Sequence, residues 1–66
     1  MGFQIFEQNA IGNDELATEQ VFKTAELAAE EAKSLAVSAD GAMFRVFAVG
    51  GDRAKFEALK DTWHWV

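Results

Sequence analysis

Apolar and polar side chains alternate over Phe3-Gln4-Ile5-Phe6-Glu7. A period of two places Phe3 and Ile5 on one face of a strand and Phe6 on the other. Asn9-Ala10-Ile11-Gly12-Asn13-Asp14 interrupts the alternation with residues that favour turns. Leu16 to Lys23 resumes it and predicts a second strand, with Leu16, Thr18, Gln20 and Phe22 facing one way and Ala17, Glu19 and Val21 the other. The period then changes. Ala25, Ala28, Ala29, Ala32, Leu35, Ala36 and Ala39 recur at helical spacing, so residues 24–41 predict one amphipathic helix. Thr24 is suited to cap its first free amides, and Glu26 favours the positive end of its dipole. Gly41 suits a left-handed stop.

Met43 to Val49 predicts another strand, with Phe44 and Val46 on one face and Met43, Arg45, Phe47 and Val49 on the other. Gly50-Gly51-Asp52 marks a hairpin. The tail admits two readings. Phe56, Leu59 and Trp63 share helical spacing, and Lys55 to Lys60 contains good helix formers. The Gly-Gly turn after a strong strand, and the strand-favouring Trp63-His64-Trp65-Val66, argue instead for a strand at 54–60, a turn near Asp61 and a short strand at 62–66. The second reading is adopted.

These elements predict a single α+β domain over residues 1–66, a two-layer ββαββ arrangement. One helix packs on one face of an antiparallel sheet of four strands, or five if the terminal segment pairs. The order 2-1-3-4 makes every neighbour antiparallel. The alanine stripe lets the helix approach closely, and the sheet must then supply the bulk, from Phe3, Ile5, Phe22, Phe44 and Val46. One narrow helix does not cover six phenylalanines and two tryptophans. Phe6, Phe47, Val49, Trp63 and Trp65 are left over, and these are the expected apolar contacts with a partner or a second copy.

Composition narrows the class. A chain of 66 residues buries only about 60% of its unfolded surface, so packing or a partner must supply the stability margin. The chain has no cysteine and one histidine, which removes disulfides and thiolate metal sites and disfavours a histidine-built zinc site. No metal or other cofactor is expected. Neither a secretory signal nor an apolar run of membrane-spanning length is visible, so a cytoplasmic protein with no membrane partner is expected.

The net charge of −5 is unevenly placed. Residues 1–44 hold eight acids and two bases, leaving −6, whereas residues 45–66 hold three acids and four bases, leaving +1. Direct nucleic-acid binding is disfavoured, because phosphate contacts need a basic patch. Asp14, Glu15 and Glu19 on the first hairpin, with Glu26, Glu30 and Glu31 on the helix, are instead candidates for docking a basic protein surface. Solubility alone explains many such acidic faces.

No constellation names a reaction. Ser34, Ser38 and His64 lack a nucleophile turn, and Glu30 and Glu31 splay about 100° apart on a helix. A non-enzymatic protein is expected; an enzymatic reading would centre on His64. Gly50-Gly51-Asp52 is too short for a dinucleotide fingerprint, and the Asp14-Glu15 region lacks the pattern of a calcium loop.

Val21-Phe22-Lys23-Thr24, Ala28-Ala29-Glu30-Glu31-Ala32-Lys33, Met43-Phe44-Arg45-Val46 and Trp63-His64-Trp65-Val66 together form a pattern over about two-thirds of the chain. A strand, a Thr-capped alanine-bearing helix and a hairpin ending near a Trp resemble small bacteriophage accessory proteins, among them small type I anti-CRISPR proteins. The resemblance implies a stoichiometric inhibitor of a bacterial defence complex, acting in the host cell cytoplasm. It carries no individual binding residue across. The function expected is a protein-binding module that occludes a basic surface of a host nucleic-acid-handling complex. The alternative is a small homodimer that completes its core through the uncovered sheet face.

Overall fold

A computed structural model describes residues 2–9, 11–39 and 41–66. The chain runs β1 (Phe3–Gln8), β2 (Asp14–Leu16), α1 (Ala25–Ser38), β3 (Met43–Ala48), β4 (Ala54–Ala58) and β5 (Trp63–Trp65). The strands form one sheet in the order β2-β1-β3-β4-β5. Every pairing is antiparallel. The α+β class, the central β1–β3 pair and the single helix on one face agree with the sequence reading. The tail is strand, turn, strand.

The helix begins where Thr24, in extended conformation, accepts a hydrogen bond on its side chain from the Leu27 amide at 3.2 Å. It ends at Ser38, and the Ala39 amide still donates to the Leu35 carbonyl. The left-handed φ predicted at Gly41 is present, at +88°. Ala28, Ala29, Ala32 and Ala36 are buried against the sheet. Their small side chains leave room for Phe44, Val46, Phe56 and Ile5, which fill the core with Phe22. The helix packs mainly on β3 and β4 and less on β1, so the edge strands β2 and β5 lie at the margins of its footprint.

One expected element is different. The second strand was expected from Leu16 to Lys23, but β2 is only Asp14–Leu16. After the Ala17 amide donates to the Ile5 carbonyl, the chain leaves the ladder. The Gln20 amide donates to the Thr18 hydroxyl at 3.3 Å, a local side-chain turn that competes with strand pairing. Phe22 then returns as an isolated bridge, exchanging both backbone hydrogen bonds with Phe3. This excursion resets the side-chain phase. Phe22 is buried under the helix side, whereas Leu16 stands half-exposed opposite Phe6 on the other face.

Candidate functional site

Register distributes the surplus aromatics over two surfaces. Phe6 pairs with Arg45, and Arg45 pairs with Glu57, which pairs with His64. All four therefore face away from the helix. The Phe6 and Phe47 rings meet edge to face at 5.2 Å between centroids on this open face. Val49 lies at its end, where its amide donates to the Gly2 carbonyl. Trp63 and Trp65 pair with Ala58 and Phe56, which are core residues, so they rise on the helix side instead. The expected aromatic surplus is thus split, with the tryptophan pair separated from Phe6, Phe47 and Val49 by the thickness of the sheet.

The tryptophans form a ledge beside the helix. Trp65 packs on Phe56 with ring centroids 4.9 Å apart. Trp63 lies under Lys33, whose Nζ is 5.0 Å from the ring centre. The same Nζ is 2.7 Å from Glu30 Oε2, the salt bridge of one helical turn. Both tryptophans remain about half exposed, at 51% and 52%. The Lys33–Trp63 contact also fixes which flank of α1 overlooks the ledge. At 100° per residue, Glu26, Glu30, Lys33 and Val37 share that flank, and Glu31 lies on the opposite one.

The acidic candidates therefore do not form one surface. Glu26 and Glu30 border the tryptophan ledge, while Glu31 points toward the β1–β2 side. Glu19 lies exposed in the turn after β2. Glu15 pairs directly with Glu7 across β1 and β2, a like-charge juxtaposition on the helix side. Asp14 is on the open face and is already engaged, since its Oδ2 accepts from Arg45 Nη1 at 2.8 Å.

That last contact belongs to a network the sequence analysis did not single out. Arg45 Nε also donates to Glu57 Oε2 at 3.0 Å, and Glu57 Oε1 lies 3.3 Å from His64 Nε2. Asp14, Arg45, Glu57 and His64 thus bridge four strands across the open face. The Arg45 guanidinium lies 5.3 Å from the Phe47 ring centre as well. Alternation placed Arg45 beside Phe47, but only the strand register brings Glu57 and His64 to it. Chemically the network is a brace, with each carboxylate already accepting from a cation. Among the described residues, no three His, Cys, Asp or Glu side chains converge as a metal-ligand set, and no helix is long and apolar enough to cross a membrane.

No protein-family model, curated protein or solved structure matches this chain.

Proposed function

We propose that the protein is a non-enzymatic protein-binding module whose working surface is the flank of α1 with the tryptophan ledge beside it. The observation that carries this reading is the Lys33–Trp63 contact, which joins two features that are far apart in sequence. Glu26 and Glu30, offset in part by Lys33, leave that surface net negative, and Trp63 and Trp65 give it flat apolar area. Trp is among the residue types enriched at binding hot spots, and carboxylates at its rim select basic partners. The narrower reading is that the module is a phage-encoded, anti-CRISPR-like inhibitor that occludes a basic surface of a host nucleic-acid-handling complex. The resemblance of the strand–helix–hairpin pattern and the acidity of residues 1–44 support it.

The test is affinity capture from a bacterial lysate, with and without nuclease, followed by charge reversal. The captured partner should be a basic, nucleic-acid-handling protein whose binding survives nuclease treatment. Glu26→Lys with Glu30→Lys should then weaken the purified pair, more at low salt than at high salt. Unchanged affinity at low salt would remove the acidic surface from the reading.

A second reading is a homodimer through the open sheet face. Its specific support is that Phe6, Phe47 and Val49 lie together there, ringed by Asp14, Arg45 and Glu57, whose alternating charges can complement a two-fold copy. Sedimentation at micromolar concentration separates the two readings, because a strict monomer disposes of the dimer.

A further inference from the structure

The two edges of the sheet are not equivalent. Both edge strands are three residues long, but the β2 edge also carries the charges of Asp14 and Glu15 and runs into the Thr18–Gln20 turn, devices against edge pairing that β5 lacks. The β5 edge reads Trp63-His64-Trp65 followed by Val66, with no lysine, acidic or proline side chain. Among the described residues no strand lies beyond it.

Hydrogen bonding fixes which backbone groups face outward. The Leu59 amide donates to the Thr62 carbonyl at 2.7 Å, and the Val66 amide donates to the Lys55 carbonyl at 2.9 Å. Antiparallel ladders alternate, so the backbone groups of 62, 64 and 66 point inward to β4. The amides and carbonyls of Trp63 and Trp65 therefore point away from the sheet. The same two residues carry the half-exposed rings on the helix side. An added strand would gain main-chain hydrogen bonds from Trp63 and Trp65, and its alternate side chains would lie on their rings.

We infer that β5 is a docking edge that takes an extended, arginine-bearing segment of a partner protein as a sixth strand. This rests on the protein-binding reading above and specifies its mode. Charge chooses the occupant. The flank overlooking the ledge carries Glu26, Glu30 and Lys33, with Lys33 paired to Glu30 and lying over Trp63. Its net charge is therefore negative through Glu26. A basic side chain on the helix side of the added strand would stack on Trp65 and meet Glu26, competing with Lys33 for Glu30. A second copy pairing β5 to β5 about a two-fold would bring two such acidic flanks face to face, in chains that each carry a net charge of −5.

The chain is short enough for chemical synthesis, which allows a test at one backbone atom. N-methylation of Trp65 removes the outward amide donor but keeps the ring and the β4 ladder. The probe is the capped peptide Thr-Arg-Val-Arg-Val-Arg-Thr, with glutamate in place of arginine as the control. The arginine peptide should slow exchange of the Trp63 and Trp65 amides and shift their resonances, and N-methyl-Trp65 should weaken it by about tenfold or more. The glutamate peptide should do neither. If the arginine peptide binds but the Trp63 and Trp65 amides exchange as before, and N-methylation changes nothing, the edge mode falls while the acidic module stands. If neither peptide binds at millimolar concentration and low salt, the inference and the acidic-module reading fall together. If those amides are already protected without peptide in a sedimenting dimer, the occupant is a second copy and the inference is overturned.

Discussion

Trp65 rests on Phe56 at 4.9 Å between ring centroids, from across a non-hydrogen-bonded pair of β4 and β5. Phe56 is among the largest fully buried side chains of the domain, so the tilted Trp65 ring covers a core residue while about half of its surface meets solvent. Trp63 has no such partner below it, because its cross-strand neighbour is Ala58. The two tryptophans therefore contribute differently to stability although they are equally exposed. Trp65→Ala should cost about 2 kcal/mol, half the loss of a fully buried Trp. Trp63→Ala should cost about 1 kcal/mol, mainly its stem packing and the Lys33 contact. Urea denaturation of the two variants checks the order; equal losses would contradict it.

The Arg45 brace makes a second prediction. Its side chain and that of Glu57 are about one-fifth exposed, so their bond is better shielded than a surface ion pair. A double-mutant cycle with Arg45→Met and Glu57→Gln should give a coupling of about 1 kcal/mol that shrinks only slightly with added salt. A coupling near zero would mean that register alone holds β3 to β4.

Gly2 is buried immediately before β1, where an added Cβ would collide with the Val21 side chain. The chain needs this gap because the excursion after β2 brings Val21 and Phe22 back beside the first strand. Gly2→Ala should destabilise by about 1–3 kcal/mol, as overpacking does. Val21→Ala in the same chain should recover part of the loss, since it removes the colliding atom. Thermal melts of the single and double variants read this directly, and an absence of recovery would place the strain elsewhere.

Glu7 and Glu15 stand directly opposite each other on β1 and β2. Like charges at such positions repel, so Glu15→Lys should stabilise the domain by about 0.5 kcal/mol through a cross-strand pair. A lower melting temperature for that variant would show that Glu15 has a favourable partner other than Glu7.

Much of the fold is legible in the chain. Thr24 and the alanine stripe announce one helix with a narrow buried face, and the alternation in Phe3–Glu7 and Met43–Val49 announces its sheet. The expected core residues Phe3, Ile5, Phe22, Phe44 and Val46 lie in or against the observed one. The second strand misled because Leu16 to Lys23 alternates through a segment that leaves the ladder. Period-two patterning cannot register the Thr18–Gln20 turn, which shifts the phase of everything after it.

The candidate surface shows the same division. Local patterning is enough to place Trp63 with Trp65, Phe6 away from Ile5, and Glu26 and Glu30 on an exposed helix flank, because neighbouring positions along one element are related by its own geometry. Local patterning does not say that the tryptophans rise on the helix side, that Lys33 bridges them to Glu30, or that Arg45 meets Asp14, Glu57 and His64. Those relations depend on strand order and on register between distant segments. A shift of one residue in register exchanges the two faces of a strand, and only the packed core selects which register is kept.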